Sequence, residues 1–238
     1  MMKQPLPVPS SQRERDVLEW ISRVGVVDSE RLVHRFFLRD GEDVADAAPR
    51  AEAALKRLVS KGYLHVRQFH VDGARPGAPS SSRHRAEHHL IRTYGLTPLA
   101  SSSLHLPLLP PLREKFLQHH LKLLTALTVV ETQQAAKGGR LMDFKLEGQL
   151  IQEDFQGKRF TAKTRHAMPC FPDARLTLRH ADGSSECVFL EYVSSKYTDE
   201  DIRGKADAWR GQSTLWAVPN PSTAARVQQL TGEPALLV

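Results

Sequence analysis

Three side chains in the last part of the chain have the types and order that metal-assisted phosphodiester chemistry needs: Asp173, Glu191 and Lys205. Two carboxylates converging at one end of a sheet supply the hard oxygen donors with which a divalent cation holds a phosphodiester and an attacking water. A lysine beside them adds positive charge to the developing phosphorane. Asp173 and Glu191 are therefore candidate metal ligands and, with Lys205, candidate catalytic residues. Mg2+ or Mn2+ is the cofactor such a site implies. Glu147 and Glu131 are candidates to complete the shell, and Lys196 is a second candidate for the lysine. The same three residues also read as a turn aspartate, a satisfied strand-end acid and its salt-bridge partner.

The neighbouring elements must bring these groups together. Residues 174–178 alternate apolar and polar side chains, the mark of a half-buried strand. Asp182-Gly183 predicts a turn, and residues 188–193 form a nearly continuous apolar strand interrupted by Glu191. The hairpin carries Asp173 before its first strand and Glu191 near the end of its second. Asp199 is a helix cap by type, followed by Ile202, Lys205 and Trp209 at helical spacing, and residues 214–218 read as another strand. Upstream, residues 112–136 predict a helix apolar around most of its circumference, with Phe116 among its apolar members. Within it, His119 and His120 read as packing or capping residues rather than ligands. A strand follows over 140–146. Residues 153–165 are polar, and Lys158, Arg159, Lys163 and Arg165 give them a basic patch. A helix over 222–230 and a strand over 236–238 complete the chain.

The first part of the chain has a different pattern. Val17, Leu18, Trp20, Ile21 and Val24 give one apolar helix face, and Gly25 closes it. A short helix after Asp28 or Ser29 carries Leu32, Val33, Phe36 and Phe37. A polar loop is expected over 39–46, then a third helix from near Pro49. Arg50, Lys56, Arg57 and Lys61 lie opposite its apolar side. Strands over 63–71 and 88–94 flank a loop rich in Gly, Pro and Ser. This order predicts a winged helix-turn-helix, its third helix sized for a DNA major groove and the loop as the wing. From Arg50 to Arg92 there are nine basic residues and three acids. Arg50, Lys56, Arg57, Lys61, Arg67, Arg75, Arg83 and Arg85 are accordingly the candidate contacts to double-stranded DNA, and that contact requires no cofactor. His84, His88 and His89 read as polar residues of the wing rather than a metal site.

Composition sets the frame. The 238 residues are 40% hydrophobic and 25% charged, as in ordinary globular proteins, and the net charge of +6 favours a polyanionic partner. The two cysteines, Cys170 and Cys187, predict reduced thiols in a cytoplasmic protein rather than a disulfide framework. No apolar run approaches a membrane span. The expected organisation is a flexible arm (1–10), a DNA-binding domain (11–100), a linker (101–111) and a second domain (112–238) of a mixed α+β, α/β chain.

Pro172-Asp173 before the hairpin and Phe189-Leu190-Glu191 in its second strand resemble the PD-(D/E)XK nuclease motif, whose core runs αβββαβ. That motif has a lysine two positions after the glutamate, where this chain has Val193. Tyr94-Gly95-Leu96-Thr97 after the wing, with Ile202, Lys205 and Trp209 in the later helix, extends the resemblance over nearly the whole chain. It is similar to the replication-relaxation family of bacterial plasmid and mobile-element proteins, which join a winged helix to a restriction-endonuclease-like domain. The family pattern has an acid and small residues just after the glutamate, replaced here by Val193-Ser194-Ser195. The resemblance implies control of plasmid or phage DNA. One expectation is a homodimeric regulator of transcription or replication, its degenerate nuclease-like domain serving dimerisation or DNA clamping. The alternative is a metal-dependent endonuclease targeted by the winged helix, and a third is a protein-interaction adaptor.

Overall fold

The structure, a computed structural model, describes residues 6–72, 88–155, 170–194 and 196–238. The fold is mixed α+β, in two units, Met1–Gln118 and His119–Val238, each with its own sheet.

In the first unit, α1 (Gln12–Val24) starts at Ser11, whose hydroxyl accepts the Glu14 N–H, and stops at Gly25, where φ is +79°. Its inner face buries Val17, Leu18, Ile21 and Val24. β1 (Val26–Asp28) follows at once and is too short for alternation to reveal it. Asp28 then caps α2 (Ser29–Leu32), accepting the Arg31 N–H at 3.0 Å, and the chain continues through a π turn at Val33–Phe37.

α3 (Val44–Ser60) corrects the loop expected over 39–46, because it begins before Pro49 rather than at it. The Asp43 side chain caps it by accepting the Ala45 N–H at 2.9 Å. Pro49 is exposed inside the helix, where it forgoes one backbone hydrogen bond and its ring crowds the Ala45 carbonyl, a cost that the buried face below offsets. Ala47, Ala51, Ala54, Leu55 and Leu58 are buried beneath. β2 (Leu64–Asp72) and β3 (His88–Leu96) pair antiparallel, and β1 pairs with the far side of β3.

The Tyr94-Gly95-Leu96-Thr97 segment has a packing reason. Gly95 faces His65 across the β2–β3 ladder, and a Cβ there would lie 2.6 Å from the imidazole. Thr97 donates its hydroxyl to the Gly62 carbonyl at 2.7 Å and caps α4 (Pro98–Leu104) by accepting the Ala100 N–H at 3.0 Å. α4 takes up the start of the linker expected over 101–111, and Leu109 packs over Gly25. The expected arm is not free either over residues 6–10. Leu6 donates its N–H to Ser103 Oγ at 3.0 Å, Tyr63 donates its hydroxyl to the Pro7 carbonyl, and Pro9 is buried.

In the second unit, α5 (Leu117–Ala136) begins later than residue 112. Arg113 is extended and Glu114–Phe116 form a 3-10 turn, leaving Phe116 48% exposed rather than in the core. β4 (Arg140–Leu146), α6 (Glu147–Phe155), β5 (Ala174–Arg179), β6 (Ser185–Tyr192), α7 (Asp199–Ala208), β7 (Ser213–Val218), α8 (Pro221–Thr231) and β8 (Ala235–Leu237) follow. α6 was not expected from the sequence. The sheet order is β4-β5-β6-β7-β8, antiparallel across the first two junctions and parallel across the last two. Thr198, not Asp199, caps α7, in a reciprocal box with Asp201. Val193, Ile202, Trp209, Trp216, Val218 and Val227 form an apolar cluster against which α7 and α8 are held. No described helix is long and apolar enough to cross a membrane.

Candidate acid–lysine site and basic surface

The β5–β6 register pairs Ala174 with Leu190, so one step further Asp173 meets Glu191 at the end of the hairpin. Hydrogen bonds lock this junction. Asp173 donates its N–H to Glu191 Oε2 at 3.1 Å, and its own Oδ2 accepts the Tyr192 N–H at 2.8 Å. The Asp173 carbonyl accepts the Glu147 N–H at 2.9 Å, which ties the first residue of α6 to the same corner. Glu191 is completely buried.

Lys205 reaches this corner from α7. It sits one helical turn before Trp209 and on the side of Ile202, which is fully buried, so helix periodicity aims it at the sheet. Its ammonium donates to Glu191 Oε1 and lies 5.4 Å from the Tyr197 ring centroid and 5.3 Å from that of Trp209. Tyr197 donates its hydroxyl to the same Glu191 oxygen at 2.7 Å. His119, on the first turn of α5, places Nε2 at 2.9 Å from Asp173 Oδ2 and packs edge-on to Tyr192. On the outer side, Cys170, Lys196, Tyr197, Glu200 and Lys205 line a depression of about 610 Å³.

Charge follows from this packing. Burial and then the neighbouring Asp173 push Glu191 up to about 7, against the opposing pull of Lys205 and Tyr197. Burial works against the Lys205 ammonium, but Glu191 and Asp173 outweigh it and raise its pKa, so Lys205 remains cationic. The same contest raises His119, where the Asp173 hydrogen bond and charge prevail over burial. Glu147 has solvent-exposed surface, yet the protein crowded around its carboxyl, and then Asp173, raise its pKa.

Of the residues singled out from the sequence, Asp173, Glu191 and Lys205 are brought together, with Glu147 at the margin. Lys196 is exposed on the rim of the depression. Glu131 stands twelve residues beyond His119 on α5, about 18 Å by helical rise, and is no part of the corner. Val193, where a lysine was absent, is fully buried in the apolar cluster. His119 and Tyr197 are the participants that sequence reasoning missed. An imidazole on an otherwise apolar helix was the available signal for the first, and a tyrosine between the acid and the capping threonine for the second.

A divalent cation does not fit this donor set as it stands. Both Glu191 oxygens already accept protein donors, and Asp173 Oδ2 accepts two. Among the described residues no group of three or more His, Cys, Asp or Glu side chains is placed to hold a metal ion.

The basic residues of the first unit separate into groups. Lys56, Arg57, Lys61, Arg67 and Arg92 are exposed. Lys56 pairs with Glu52 at 3.0 Å, and that hydrogen bond, with a smaller pull from the Arg92 charge, holds the carboxyl below its ordinary range. The register sets Arg67 opposite Thr93 and Arg92 opposite Gln68, so the two arginines lie on opposite faces of the β2–β3 pair. Arg57 lies 3.5 Å from Glu14, whose burial is countered by Ser10, Lys61 and Arg57, leaving its pKa lowered. Arg50 is bound into the structure. It donates to Glu42 at 2.6 Å, to the Phe37 carbonyl at 3.1 Å and to the Asp46 carbonyl at 3.1 Å. Arg75, Arg83 and Arg85, with Lys158, Arg159, Lys163 and Arg165, lie outside the described residues, as does His84.

Compared with known proteins, the chain matches no family model, no curated protein and no solved structure.

Proposed function

We propose that the chain is a DNA-binding protein whose first unit is a winged helix-turn-helix and whose second is a PD-(D/E)XK-like domain that clamps DNA or dimerises rather than cuts. The observation that carries this reading is the exposed basic set on α3 and its neighbours, Lys56, Arg57, Lys61 and Arg92. The helix order and the β1-β3-β2 antiparallel sheet support the winged topology. The Lys56–Glu52 pair is exposed on both sides and weak, so a phosphate displaces it readily, whereas Arg57 pairs with the buried Glu14 and still keeps an exposed guanidinium. A two-fold DNA half-site arrangement fits a homodimer acting as a regulator of transcription or replication of a plasmid, phage or mobile element.

A second reading, DNA cleavage, is favoured by the reach of Lys205 to Glu191, because a lysine moved from the strand to the next helix still meets the acids. It requires Lys205 and Tyr197 to release Glu191. One experiment separates the two. Supercoiled plasmid and labelled duplex are incubated with the protein in Mg2+, in Mn2+ and in chelator. A mobility shift with intact plasmid supports the regulator; nicking that disappears with Glu191→Gln establishes the nuclease.

A further inference from the structure

We infer that the Lys205 ammonium stands in the cation position of the acid corner. In this view the wild-type chain binds no divalent metal there, and Lys205 masks a latent site for an oxygen-seeking dication.

The inference rests on how the donors are used. Glu191 has no solvent contact, and its carboxylate receives three donors: the Lys205 ammonium and Tyr197 hydroxyl on Oε1, and the Asp173 N–H on Oε2. Asp173 Oδ2 receives the Tyr192 N–H and the His119 ring nitrogen. Two of these donors, Lys205 and His119, bring positive charge or the capacity for it, against two carboxylates. A dication entering this corner would meet the Lys205 ammonium at close range in a low-dielectric setting, where like charges repel strongly. Lys205 is held in place as well as attracted, with the Tyr197 and Trp209 rings on its flanks. Its side chain keeps only 20% exposure, and the depression of about 610 Å³ that it lines is the path by which an ion would arrive. Removing the ammonium leaves one buried Glu191 oxygen short of its charged donor beside Asp173, with Glu147 adjacent. Oxygen donors of this kind are what Mg2+ and Mn2+ select. The inference concerns the acid corner alone and holds whether or not the first unit binds DNA.

The test uses Mn2+ as probe, with the full-length chain, and reads binding by the paramagnetic signal of free Mn2+ and by the shift in Tm. Wild type, Lys205→Arg, Lys205→Met and Lys205→Met/Asp173→Asn are compared after circular dichroism has verified folding. Wild type and Lys205→Arg are expected to take up no stoichiometric Mn2+. Lys205→Met is expected to bind one ion at least roughly tenfold more tightly than wild type, with a rise in Tm, and the added Asp173→Asn to abolish both. Two results overturn the inference. One is stoichiometric Mn2+ binding by wild type that is lost with Glu191→Gln. The other is a folded Lys205→Met chain that binds no better than wild type. Should Lys205→Met fail to fold without metal, refolding in Mn2+ that depends on Asp173 supports the inference, and failure to refold in Mn2+ contradicts it.

Discussion

Lys205 on α7 donates its ammonium to a completely buried Glu191 on β6, fourteen positions earlier in the chain. This ion pair joins the helix to the central strand and decides the character of the second unit. Truncating Lys205 strands a buried carboxylate. Lys205→Ala is therefore expected to lower the unfolding free energy by about 3 kcal/mol, the low end for breaking a buried pair, because Glu191 can take up a proton instead. Urea denaturation at neutral pH checks this. A loss below the error of the extrapolation would mean that the pair is solvated.

Val193 raises the opposite question, whether a lysine at that position would complete the nuclease motif. Its side chain belongs to the cluster of Ile202, Trp209, Trp216, Val218 and Val227. Val193→Lys would bury an ammonium among indoles and aliphatics, and the expected cost is about 3 kcal/mol or more. The same denaturation experiment reads it. A variant as stable as wild type would show that this position can turn its side chain to solvent.

The acid corner also sets a pH dependence. His119 has its pKa raised from 6.5, and Glu191 is raised from 4.5 to about 7. In both cases the folded state holds its proton more firmly than the unfolded chain, so the folded state binds more protons in the window between the two pKa values. Stability falls with rising pH wherever that is so. The contribution of His119 is complete below 6.5 and is lost as pH rises through its folded pKa; that of Glu191 is lost between 4.5 and 7. Wild type is expected to lose stability from pH 5 to pH 8, and His119→Gln to show a shallower decline. Histidine ring resonances in NMR should show His119 titrating above 6.5, and a value at or below it would remove the Asp173 contact as the cause.

Arg50 is expected to behave differently from its basic neighbours. Its guanidinium fastens α3 to Glu42 and to the Phe37 carbonyl. Arg50→Ala should lower Tm by a few degrees with little change in the salt dependence of DNA binding. A variant with unchanged Tm and a shallower salt dependence would instead make Arg50 a phosphate contact.

The legible parts of the fold were those with strong local periodicity or punctuation. Gly25 announced the end of α1, Asp182-Gly183 the hairpin turn, and the alternation after Asp173 the strand β5. The spacing of Ile202, Lys205 and Trp209 placed Lys205 on the inner side of α7, where it does meet Glu191. What stayed hidden depended on tertiary partners. β1 is a strand only because β3 lies beside it. α3 starts before Pro49, which lies in its interior, because the Asp43 cap and the buried face of Ala47, Ala51, Ala54, Leu55 and Leu58 hold the helix across the proline. Arg50 counted as one positive charge among several until its bonds to Glu42 and the Phe37 carbonyl withdrew it. His119 showed locally only as an imidazole on a largely apolar helix, and its partner Asp173 arrives from 54 residues away.

The most direct measurement is the dissociation constant for duplex DNA across a salt series, for wild type and for the chain carrying Lys56→Ala, Arg57→Ala, Lys61→Ala and Arg92→Ala together. Each phosphate contact contributes about −0.9 to the slope of log K against log salt. Wild type is expected to bind with a steep negative slope, and the fourfold variant to remain folded, bind more weakly and show a slope shallower by several such increments. Wild-type binding that is absent at low salt, or a variant whose slope matches wild type, would contradict DNA binding through this surface.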